Sequence, residues 1–453
     1  MSSHRVSRRS FFRATAGGLG AAGLAAHTVV LKPRPAEAAS RVAPPSDRIG
    51  LGIVGVGMQG SGLLRRALSL PGVECVGAAE LYDGRARLAK EICRKEIFTT
   101  RDYRELLDRP GLDAVIVATP DHWHAKLVED CCAAGKDVYC EKPMSHVAEE
   151  GSRMIAAAKK HERVIQIGSA GISSVVAEKA REIIASGALG RLTLVEATQG
   201  RNSPNGAWQY PVPPDASPET IDWESWLGKA SPRPFDALHW ARWRCWIDYG
   251  TGVAGDLFVH MLTYIHYVTG TNEPPVRAQS TGGIFRFDDG RDVPDTLSTL
   301  FAYRDFPVYM RVTQASSTPR EIRFMGTHGV LELARGGLTF TPQDGKDGGP
   351  SGFARAWPSE LRNAYVDQWH EENDPAPGQA EVAIDSQRFV APRGHNASIE
   401  HFRDFFTAMR TRGATIEDAT FGNNTALACH MANHSYFNET IATWDSEASE
   451  IRG

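Results

Sequence analysis

The sequence contains few cysteines, and their arrangement marks neither a disulfide scaffold nor a zinc site. There are seven in 453 residues, an odd number, without the paired spacing of zinc ribbons. Cys131 and Cys132 are neighbours in the chain, and adjacent cysteines form only strained disulfides. We therefore expect a chain that folds without disulfide bonds, as proteins that fold in a reducing cytoplasm do.

An excess of basic residues is also missing. Lysine and arginine number 50 against 54 aspartates and glutamates, which gives a formal net charge of −4. Proteins that follow a phosphate backbone carry a concentrated positive patch, so we do not expect nucleic acid as a partner. The hydrophobic share of 42% is ordinary for a globular protein, and the length predicts two or three domains.

Long apolar runs are absent outside the N-terminus. There, Arg8 and Arg9 precede an Ala/Gly-rich run over residues 14–31, and residues 36–38 (Ala-Glu-Ala) have the small side chains that a signal peptidase reads. The alternative is a membrane-spanning helix, but the run is rich in glycine and barely long enough to cross. We predict that residues 1–38 are a cleavable twin-arginine signal, which implies export to the periplasm through the twin-arginine machinery and no stable membrane insertion afterwards.

After a linker (39–48), short apolar runs alternate with amphipathic segments. Ile49–Val54 has the pattern of a buried strand, and Leu63, Leu64 and Leu68 have helical spacing after it. Further strands are predicted at 73–79, 114–118, 137–140 and 164–168, and helices at 85–94, 103–107 and 124–134. This alternation with short loops predicts an α/β domain at 49–168 with a doubly wound parallel sheet.

The pattern changes after residue 168. A helix at 175–186 and a strand at 192–198 lead into a stretch rich in tryptophan and proline at 202–249. Strand-like runs joined by short turns then recur at 276–287, 296–303, 308–313, 321–325 and 330–333. They predict an open, mainly antiparallel sheet in a second α/β domain (169–397) for substrate binding and oligomerisation. Helices in the last part (398–453) are expected to pack back on the first domain.

A glycine motif joins the first strand to the first helix. Gly55, Gly57 and Gly60 lie between that strand and that helix, and they allow a tight turn through which pyrophosphate can approach the backbone and the helix N-terminus. Glu80, at the end of the second strand, is placed to accept the ribose hydroxyls of NAD. The alternative is a glycine-rich turn with an unrelated acid, and the nearby Arg85 and Arg87 leave NADP open. The predicted contacts here are Gly55, Gly57, Met58, Gln59, Gly60 and Glu80.

A second polar turn follows the strand at 114–118. Ligands of open parallel sheets bind at such carboxyl ends of strands. A metal site with two histidines is an alternative, but a third ligand is missing nearby, and a capped helix start is another. We expect the turn to line the cofactor site, without metal, through Thr119, Pro120, His122 and His124.

Two further groups are candidates for catalysis. Glu141 and Lys142 directly follow the strand at 137–140, and the next residue, a proline, restricts the backbone there. A lysine in a loop is usually an exposed surface residue, but its position at the carboxyl edge of the sheet favours a function. Asp256 and His260 are four residues apart, so on an α-helix the carboxylate could orient the imidazole as a general base. A helix cap with a core histidine is equally compatible with that spacing.

Together, the glycine motif, the Thr119-Pro120 turn, Glu141-Lys142-Pro143 and the Asp256/His260 pair resemble the glucose–fructose oxidoreductase, inositol dehydrogenase and rhizopine-catabolism (Gfo/Idh/MocA) family. The resemblance runs from Ile49 to the helix after Asn423. It implies a Rossmann domain, an open antiparallel α/β domain and a homo-oligomer, dimeric or tetrameric.

The resemblance also implies roles for individual residues. Lys142 becomes the catalytic lysine, Glu141 a contact of the nicotinamide end, and His260 a proton acceptor oriented by Asp256. Met261 and Thr263 stand where many members carry a second histidine and an acid, so the substrate contacts at that wall differ.

The expected activity is oxidation or reduction of a secondary hydroxyl of a sugar or polyol by NAD or NADP. Because the periplasm has no dinucleotide pool, we expect the cofactor to be tightly bound and recycled on the enzyme. Two alternatives remain open. One is a redox-neutral, NAD-dependent glycosidase, and the other is a non-catalytic sugar-binding protein on the same scaffold.

Overall fold

The computed structural model describes residues 27–32, 48–334, 336–345, 349–374 and 386–453. The paired arginines, the cleavage site and most of the linker lie outside the described residues. Inside the segment predicted as a signal, strand β1 (His27–Val30) pairs in parallel with residues 387–390. No helix in the described part of the chain is long and apolar enough to cross a membrane.

The N-terminal domain is built on a six-stranded sheet in which every pair of neighbouring strands is parallel. Its order, β4-β3-β2-β5-β6-β7, is that of a dinucleotide-binding fold, so the prediction of a doubly wound sheet is confirmed. The strands are β2 (Ile49–Val54), β3 (Val73–Ala79), β4 (Phe98–Thr100), β5 (Ala114–Val117), β6 (Asp137–Cys140) and β7 (Ile165–Ile167). β4 has only three half-buried residues, and its pattern gave no signal in the sequence.

Helices cover both faces of this sheet. Leu63 and Leu64 of the first helix pack on one face, and Leu106 and Val128 of later helices on the other. The helices are α1 (Met58–Leu68), α2 (Asp83–Cys93), α3 (Tyr103–Leu107), α4 (His124–Ala133) and α5 (Ala148–His161). α5 was not expected from the sequence.

The second domain is built on a sheet of eleven strands, ordered β1-β15-β14-β13-β12-β8-β11-β10-β9-β16-β17. Only the pairs β1/β15 and β8/β11 are parallel, so the prediction of a mainly antiparallel sheet is confirmed. The strands are β8 (Leu192–Gly200), β9 (Arg277–Gly283), β10 (Thr296–Ala302), β11 (Pro307–Thr313), β12 (Glu321–Gly326), β13 (Gly329–Ala334), β14 (Gly337–Pro342), β15 (Gln387–Val390), β16 (Ile441–Asp445) and β17 (Glu450–Arg452).

One face of this sheet packs against helices and holds the largest core cluster, in which Phe324 of β12 meets Leu262 and Ile265. The remaining helices are α6 (Val175–Ala185), α7 (Trp223–Leu227), α8 (Ala237–Ala241), α9 (Val259–Thr269), α10 (Ser359–Asn373), α11 (Ala397–Thr411) and α12 (Ala419–Phe437). The helix-covered face ends near the N-terminus of α9, where the two domains meet.

The C-terminal part joins both domains. Phe402, Phe405 and Phe406 of α11 are buried against α1 and β2 of the N-terminal domain. The expectation of helices alone for this part is corrected, because β16 and β17 extend the large sheet beside β9.

Candidate active site

A cavity of about 790 Å³ opens at the carboxyl edge of the N-terminal sheet. Ligand pockets in proteins are typically ~300–1,000 Å³ in volume. Most of the residues predicted to bind the cofactor line it, namely Gly55, Gly57, Met58, Gln59, Glu80, Thr119, Pro120, Glu141 and Lys142. The sequence therefore located this site, because the carboxyl ends of parallel strands meet along one edge.

The glycine turn has no room for a side chain at Gly55 or at Gly60. Gly55 has a φ of +87°, and a Cβ there would lie 2.7 Å from the carbonyl oxygen of Ala118. A Cβ on Gly60 would lie 2.1 Å from the carbonyl oxygen of Gly55. Gly60 does not line the cavity, so it acts by letting α1 approach β2 rather than by touching a ligand, which corrects its predicted role.

The N-terminus of α1 faces this turn without a cap. Gly57 precedes the helix and supplies no side-chain acceptor, and the first turn contains no acidic residue. The first N–H groups and the positive end of the helix dipole are therefore available to an anion such as pyrophosphate.

Glu80 is fixed to the glycine turn by its own carboxylate. One oxygen accepts a hydrogen bond from the backbone N–H of Val56 at 2.6 Å, and the other from that of Tyr82 at 3.1 Å. Each carboxylate oxygen has a second lone pair for a further donor, so the contact with ribose hydroxyls stays a prediction. The guanidinium of Arg85 lies 4.4 Å from the ring centroid of Trp240 and also lines the cavity, which keeps NADP an alternative.

Thr119 provides a test of whether the cavity fits a polar cofactor. Its hydroxyl is buried and has no hydrogen-bond partner among the described residues, although the residue lines the cavity. A buried hydroxyl without a partner costs free energy, and a polar ligand in the cavity would satisfy it. Together with the uncapped helix, this hydroxyl fits a bound dinucleotide.

Two predicted cofactor residues, His122 and His124, do not line the cavity. The His122 ring lies between the carbonyl oxygens of Trp226 at 3.0 Å and Tyr249 at 3.2 Å, and His124 Nδ1 lies 2.8 Å from that of Pro143. Burial lowers the pKa of His122 to about 4, so its ring is neutral at physiological pH. The prediction for both is corrected, because the single N–H of each neutral ring can donate to a backbone carbonyl behind the site rather than to a ligand in the cavity.

Glu141 lies at the far end of the cavity from Glu80. Its buried carboxylate accepts a hydrogen bond from the side-chain amide of Gln59 at 2.8 Å, which links β6 to the glycine turn. Burial raises the pKa of Glu141, and the neighbouring charge of Lys142 only partly opposes this.

Lys142 takes part in a buried ion cluster with Asp256. The ammonium donates to the carboxylate of Asp256 at 2.8 Å, and Arg244 Nε donates to the same oxygen at 3.1 Å. Trp208 Nε1 donates to the other oxygen at 3.1 Å. Burial acts to raise the pKa of Asp256, but the charges of Lys142 and Arg244 outweigh it and hold that pKa well below its usual range. Sequence reasoning missed Arg244 and Trp208, since no local spacing connects them to Asp256.

The expected pairing of Asp256 with His260 is wrong. Asp256 lies in a π-helical turn (Ala254–Phe258) ahead of α9. The wider π turn shifts the register, so a residue four positions on is not placed over Asp256 as in an α-helix. Among the described residues, the bonds of the Asp256 carboxylate go to Lys142, Arg244 and Trp208, and none goes to His260.

His260 is close enough to the same centre for the charge of Lys142 to act on its imidazole, although its side chain does not line the cavity. Its side chain is partly exposed at the start of α9. Burial lowers the pKa of His260 well below its usual value, and the positive charges of Lys142 and Arg320 lower it further. The imidazole is therefore neutral at physiological pH and is able to accept a proton.

The tryptophan-rich stretch forms the roof of the cavity. Trp226, Trp240 and Trp243 are among its lining residues. The roof is bonded to the N-terminal domain, since Asp222 N donates to the carbonyl of Leu81 at 2.9 Å, and the indole of Trp123 donates to that of Trp226 at 2.9 Å. The described residues contain no group of three or more His, Cys, Asp or Glu side chains placed to hold a metal ion.

Two family models match the chain and together cover about half of it. Residues 49–169 match the model described as "Oxidoreductase family, NAD-binding Rossmann fold". Residues 224–332 match the GFO/IDH/MocA C-terminal domain.

Curated relatives match mainly in the N-terminal part. Inositol 2-dehydrogenase of Salmonella typhimurium is 31% identical over 191 residues, which is 42% of this chain and 53% of the relative. The α-N-acetylgalactosaminidase of Shewanella oneidensis is 30% identical over 178 residues, 35% of this chain and 38% of the relative. The match thus spans about half the length of the first of these relatives, and less of the second.

Solved structures match over nearly the whole described fold. Levoglucosan dehydrogenase in complex with NADH and levoglucosan superposes with a TM-score of 0.63 at 19% identity, over 87% of this chain and 99% of that one. Aldose–aldose oxidoreductase from Caulobacter crescentus superposes with a TM-score of 0.61 at 18% identity, over 87% and 99%. At this identity the likeness concerns the fold.

Proposed function

Since the chain belongs to the GFO/IDH/MocA family of oxidoreductases and carries that family's NAD-binding Rossmann domain, we propose that it oxidises or reduces a secondary hydroxyl of a sugar or polyol. The observation that carries the proposal is one cavity that contains both the uncapped glycine turn and Lys142. A dinucleotide bound at Gly57 and reaching Glu141 brings its reactive end beside that lysine.

The side chains at this end suit proton transfer. A bound nicotinamide supplies the hydride acceptor or donor. His260, neutral at physiological pH, accepts the hydroxyl proton, and the ammonium of Lys142 donates a hydrogen bond to the oxygen on which negative charge develops. The carboxylate of Asp256 accepts a hydrogen bond from the ammonium and is itself held by Arg244, so Asp256 acts as a positioning residue.

The roof supports slow exchange of the cofactor. Its tryptophans line the cavity, and backbone bonds at both Asp83 and Asp222 tie it to α2 and to the loop before it. Release of the dinucleotide then requires these bonds to open. We propose that the protein carries its dinucleotide through a complete reaction cycle and regenerates it on the enzyme.

Export makes such retention necessary. The paired Arg8 and Arg9 with the apolar run and small residues after them support a twin-arginine signal. That route carries folded proteins, so a dinucleotide bound in the cytoplasm travels with the chain into a periplasm that contains no pool of it.

A redox-neutral glycosidase is the second candidate, favoured by the relative that is named an α-N-acetylgalactosaminidase. In that reaction, oxidation of a hydroxyl to a carbonyl makes a neighbouring C–H acidic, and elimination releases the aglycone and leaves a double bond. Water then adds to the double bond, and hydride return to the carbonyl restores the hydroxyl of the sugar. The same lysine and histidine serve both reactions.

The test begins with mass spectrometry of the denatured, full-length protein, which we expect to release NAD or NADP. Absorbance at 340 nm is then followed as sugars and aryl glycosides are added. A reversible rise indicates net oxidation, release of the aglycone without a rise indicates the glycosidase, and no response to any sugar favours a binding protein.

Variants assign the two residues. Lys142→Met and His260→Ala should each lower turnover by ~10²–10⁴-fold while the dinucleotide is retained. Lys126→Met and His370→Ala, on exposed helix surfaces, are the matched controls and should keep the wild-type rate. Wild-type turnover in Lys142→Met or in His260→Ala would refute the role of that residue.

A further inference from the structure

Two arginines lie at the end of the large sheet, on its helix-covered face. Strands β8 and β12 are antiparallel, with Ile322 opposite Ala197, and both of these residues are buried in the core under α9. Because side chains alternate along a strand, Arg320 lies two positions beyond Ile322 on the same face. Arg201 directly follows β8 and is four positions beyond Ala197, so it shares that face.

The backbone supports this placement of Arg201. Its N–H donates to the carbonyl of Thr313 at 2.8 Å, so the ladder with β11 continues past the end of β8. Gly200 and Thr318 exchange two further hydrogen bonds between the loops that carry the two arginines. The two arginines therefore lie side by side at the ends of these strands, on the side of the sheet toward the N-terminal domain.

Among the described residues, neither guanidinium forms a salt bridge or a hydrogen bond with an acidic side chain. Arg320 is exposed and Arg201 is partly exposed. Arg201 lines a second cavity of about 680 Å³, and this cavity shares Met58, Tyr210 and Pro211 with the dinucleotide cavity. No aspartate or glutamate lines the second cavity, so it is open to an anion.

Two side chains of α9 complete this wall. His260 and Tyr264 are one helical turn apart, and the charges of Arg320 and Arg201 both lower the pKa of His260. The Tyr264 side chain is 7% exposed, and its hydroxyl has no hydrogen-bond partner among the described residues. The charge of Arg320 opposes the rise that burial causes in the pKa of this hydroxyl, and an unsatisfied buried hydroxyl near an unpaired cation indicates a polar ligand.

We propose that Arg201 and Arg320 bind the oxyanion of an acidic sugar, and that the protein selects such sugars over neutral ones. The inference rests on the proposed function, because it places the reacting hydroxyl near Lys142 and His260 and the anionic group at the far side. Guanidinium groups bind carboxylate and phosphate in the same two-pronged manner. A sugar acid and a sugar phosphate are therefore the two sources of this chemistry, and the assay separates them.

The assay measures binding of gluconate, glucuronate, glucose 6-phosphate and glucose to the protein with its dinucleotide bound, by isothermal titration calorimetry at low and at high salt. Absorbance at 340 nm is recorded on the same samples. We expect at least one anionic sugar to bind ~10-fold or more tightly than glucose, because a hydrogen bond to a charged group contributes ~1.5–3 kcal/mol. Its affinity should fall as salt rises. Preference for glucuronate or gluconate identifies a carboxylate, and preference for glucose 6-phosphate a phosphate.

Arg201→Gln and Arg320→Gln should each weaken binding of the anionic sugar by ~10–100-fold and leave glucose binding unchanged. Arg311→Gln is the control, because Arg311 lies on the opposite face of the same sheet, between the buried Met310 and Val312. Arg320 is exposed, so Arg320→Gln is expected to fold. If Arg201→Gln does not fold, the salt dependence of the wild-type affinity for the anionic sugar gives a second measure.

The outcomes separate the two proposals. Arginine-dependent binding of an anionic sugar without any change at 340 nm keeps this inference and counts against the oxidoreductase. Reduction of the cofactor by neutral sugars, with glucose bound as tightly as the anions, overturns this inference and leaves the oxidoreductase standing. Absence of binding by every anionic sugar overturns it as well.

Discussion

Replacing Asp256 by asparagine removes the carboxylate that pairs with the ammonium of Lys142. The carboxylate accepts from Lys142 at 2.8 Å and from Arg244 at 3.1 Å, and these side chains are only 9% and 19% exposed. The substitution keeps the size of the side chain and leaves two cations facing one another. It therefore isolates the charge from the packing.

The expected loss follows from burial. Removing one partner of a buried ion pair costs ~3–5 kcal/mol, and a surface pair contributes only ~0–1 kcal/mol. Since asparagine can still accept one hydrogen bond, we expect a loss near the lower end, about 3 kcal/mol. Asp83→Asn is the matched control, because its pair with Arg101 is 2.8 Å long but 39% and 45% exposed, and it should cost no more than about 1 kcal/mol.

The pH dependence has a defined sign. The pKa of Asp256 in the folded protein is held below the unfolded value of ~3.9. Its contribution to stability is therefore complete above that value and is lost as the pH falls through the folded pKa. Urea unfolding between pH 3 and pH 8 measures it. The difference in free energy of unfolding between wild type and Asp256→Asn should be constant above about pH 5 and should become smaller in acid. A loss of unfolding free energy in Asp256→Asn that is no greater than the loss in Asp83→Asn would refute the stabilising role of the cluster.

Two further predictions concern neighbouring parts of the fold. Gly60→Ala places a Cβ 2.1 Å from the carbonyl oxygen of Gly55 and should destabilise the protein by ~1–3 kcal/mol or more. In the control Gly62→Ala, the new Cβ meets only the flexible end of the Arg66 side chain, so this variant should stabilise α1 by up to ~1 kcal/mol. Equal melting temperatures for the two variants would contradict the close approach of α1 to β2. Burial raises the pKa of Glu417 in the folded protein to about 8, whereas the pKa of a glutamate in the unfolded chain is ~4.3. The stability that the protonated carboxyl contributes is therefore complete below pH ~4.3 and is lost as the pH rises toward 8. Glu417→Gln should therefore gain stability over wild type across that range, by up to ~1.4 kcal/mol per pH unit. Melting curves of Glu417→Gln and of the exposed control Glu91→Gln at a series of pH values test this, and parallel behaviour of the two would count against it.

The sequence was sufficient to predict the N-terminal sheet because each strand and helix there carries its own periodic pattern. It also placed the Thr119 turn and Lys142 at one edge, since a parallel sheet aligns the carboxyl ends of its strands. The large sheet was predicted only in part. β15 to β17 have only three to five residues. β14 is as long as β13, but polar threonines interrupt its apolar residues.

The contacts that complete the site could not be predicted in this way. Arg244 and Trp208 reach Asp256 from a stretch without regular periodicity, so only tertiary packing brings them together. Arg201 and Arg320 become neighbours through the register of β8 and β12, which no local pattern specifies. The Asp256/His260 pairing failed because a π turn has no signature in the sequence.

A crystal structure of the protein with NADH tests the central claim most directly. The account predicts that the phosphates lie at the N-terminus of α1 beside Gly57 and that the nicotinamide ring contacts Glu141 and Lys142, with His260 facing the same substrate space. A nicotinamide ring bound away from Lys142, or a roof that closes the cavity to the dinucleotide, would contradict it.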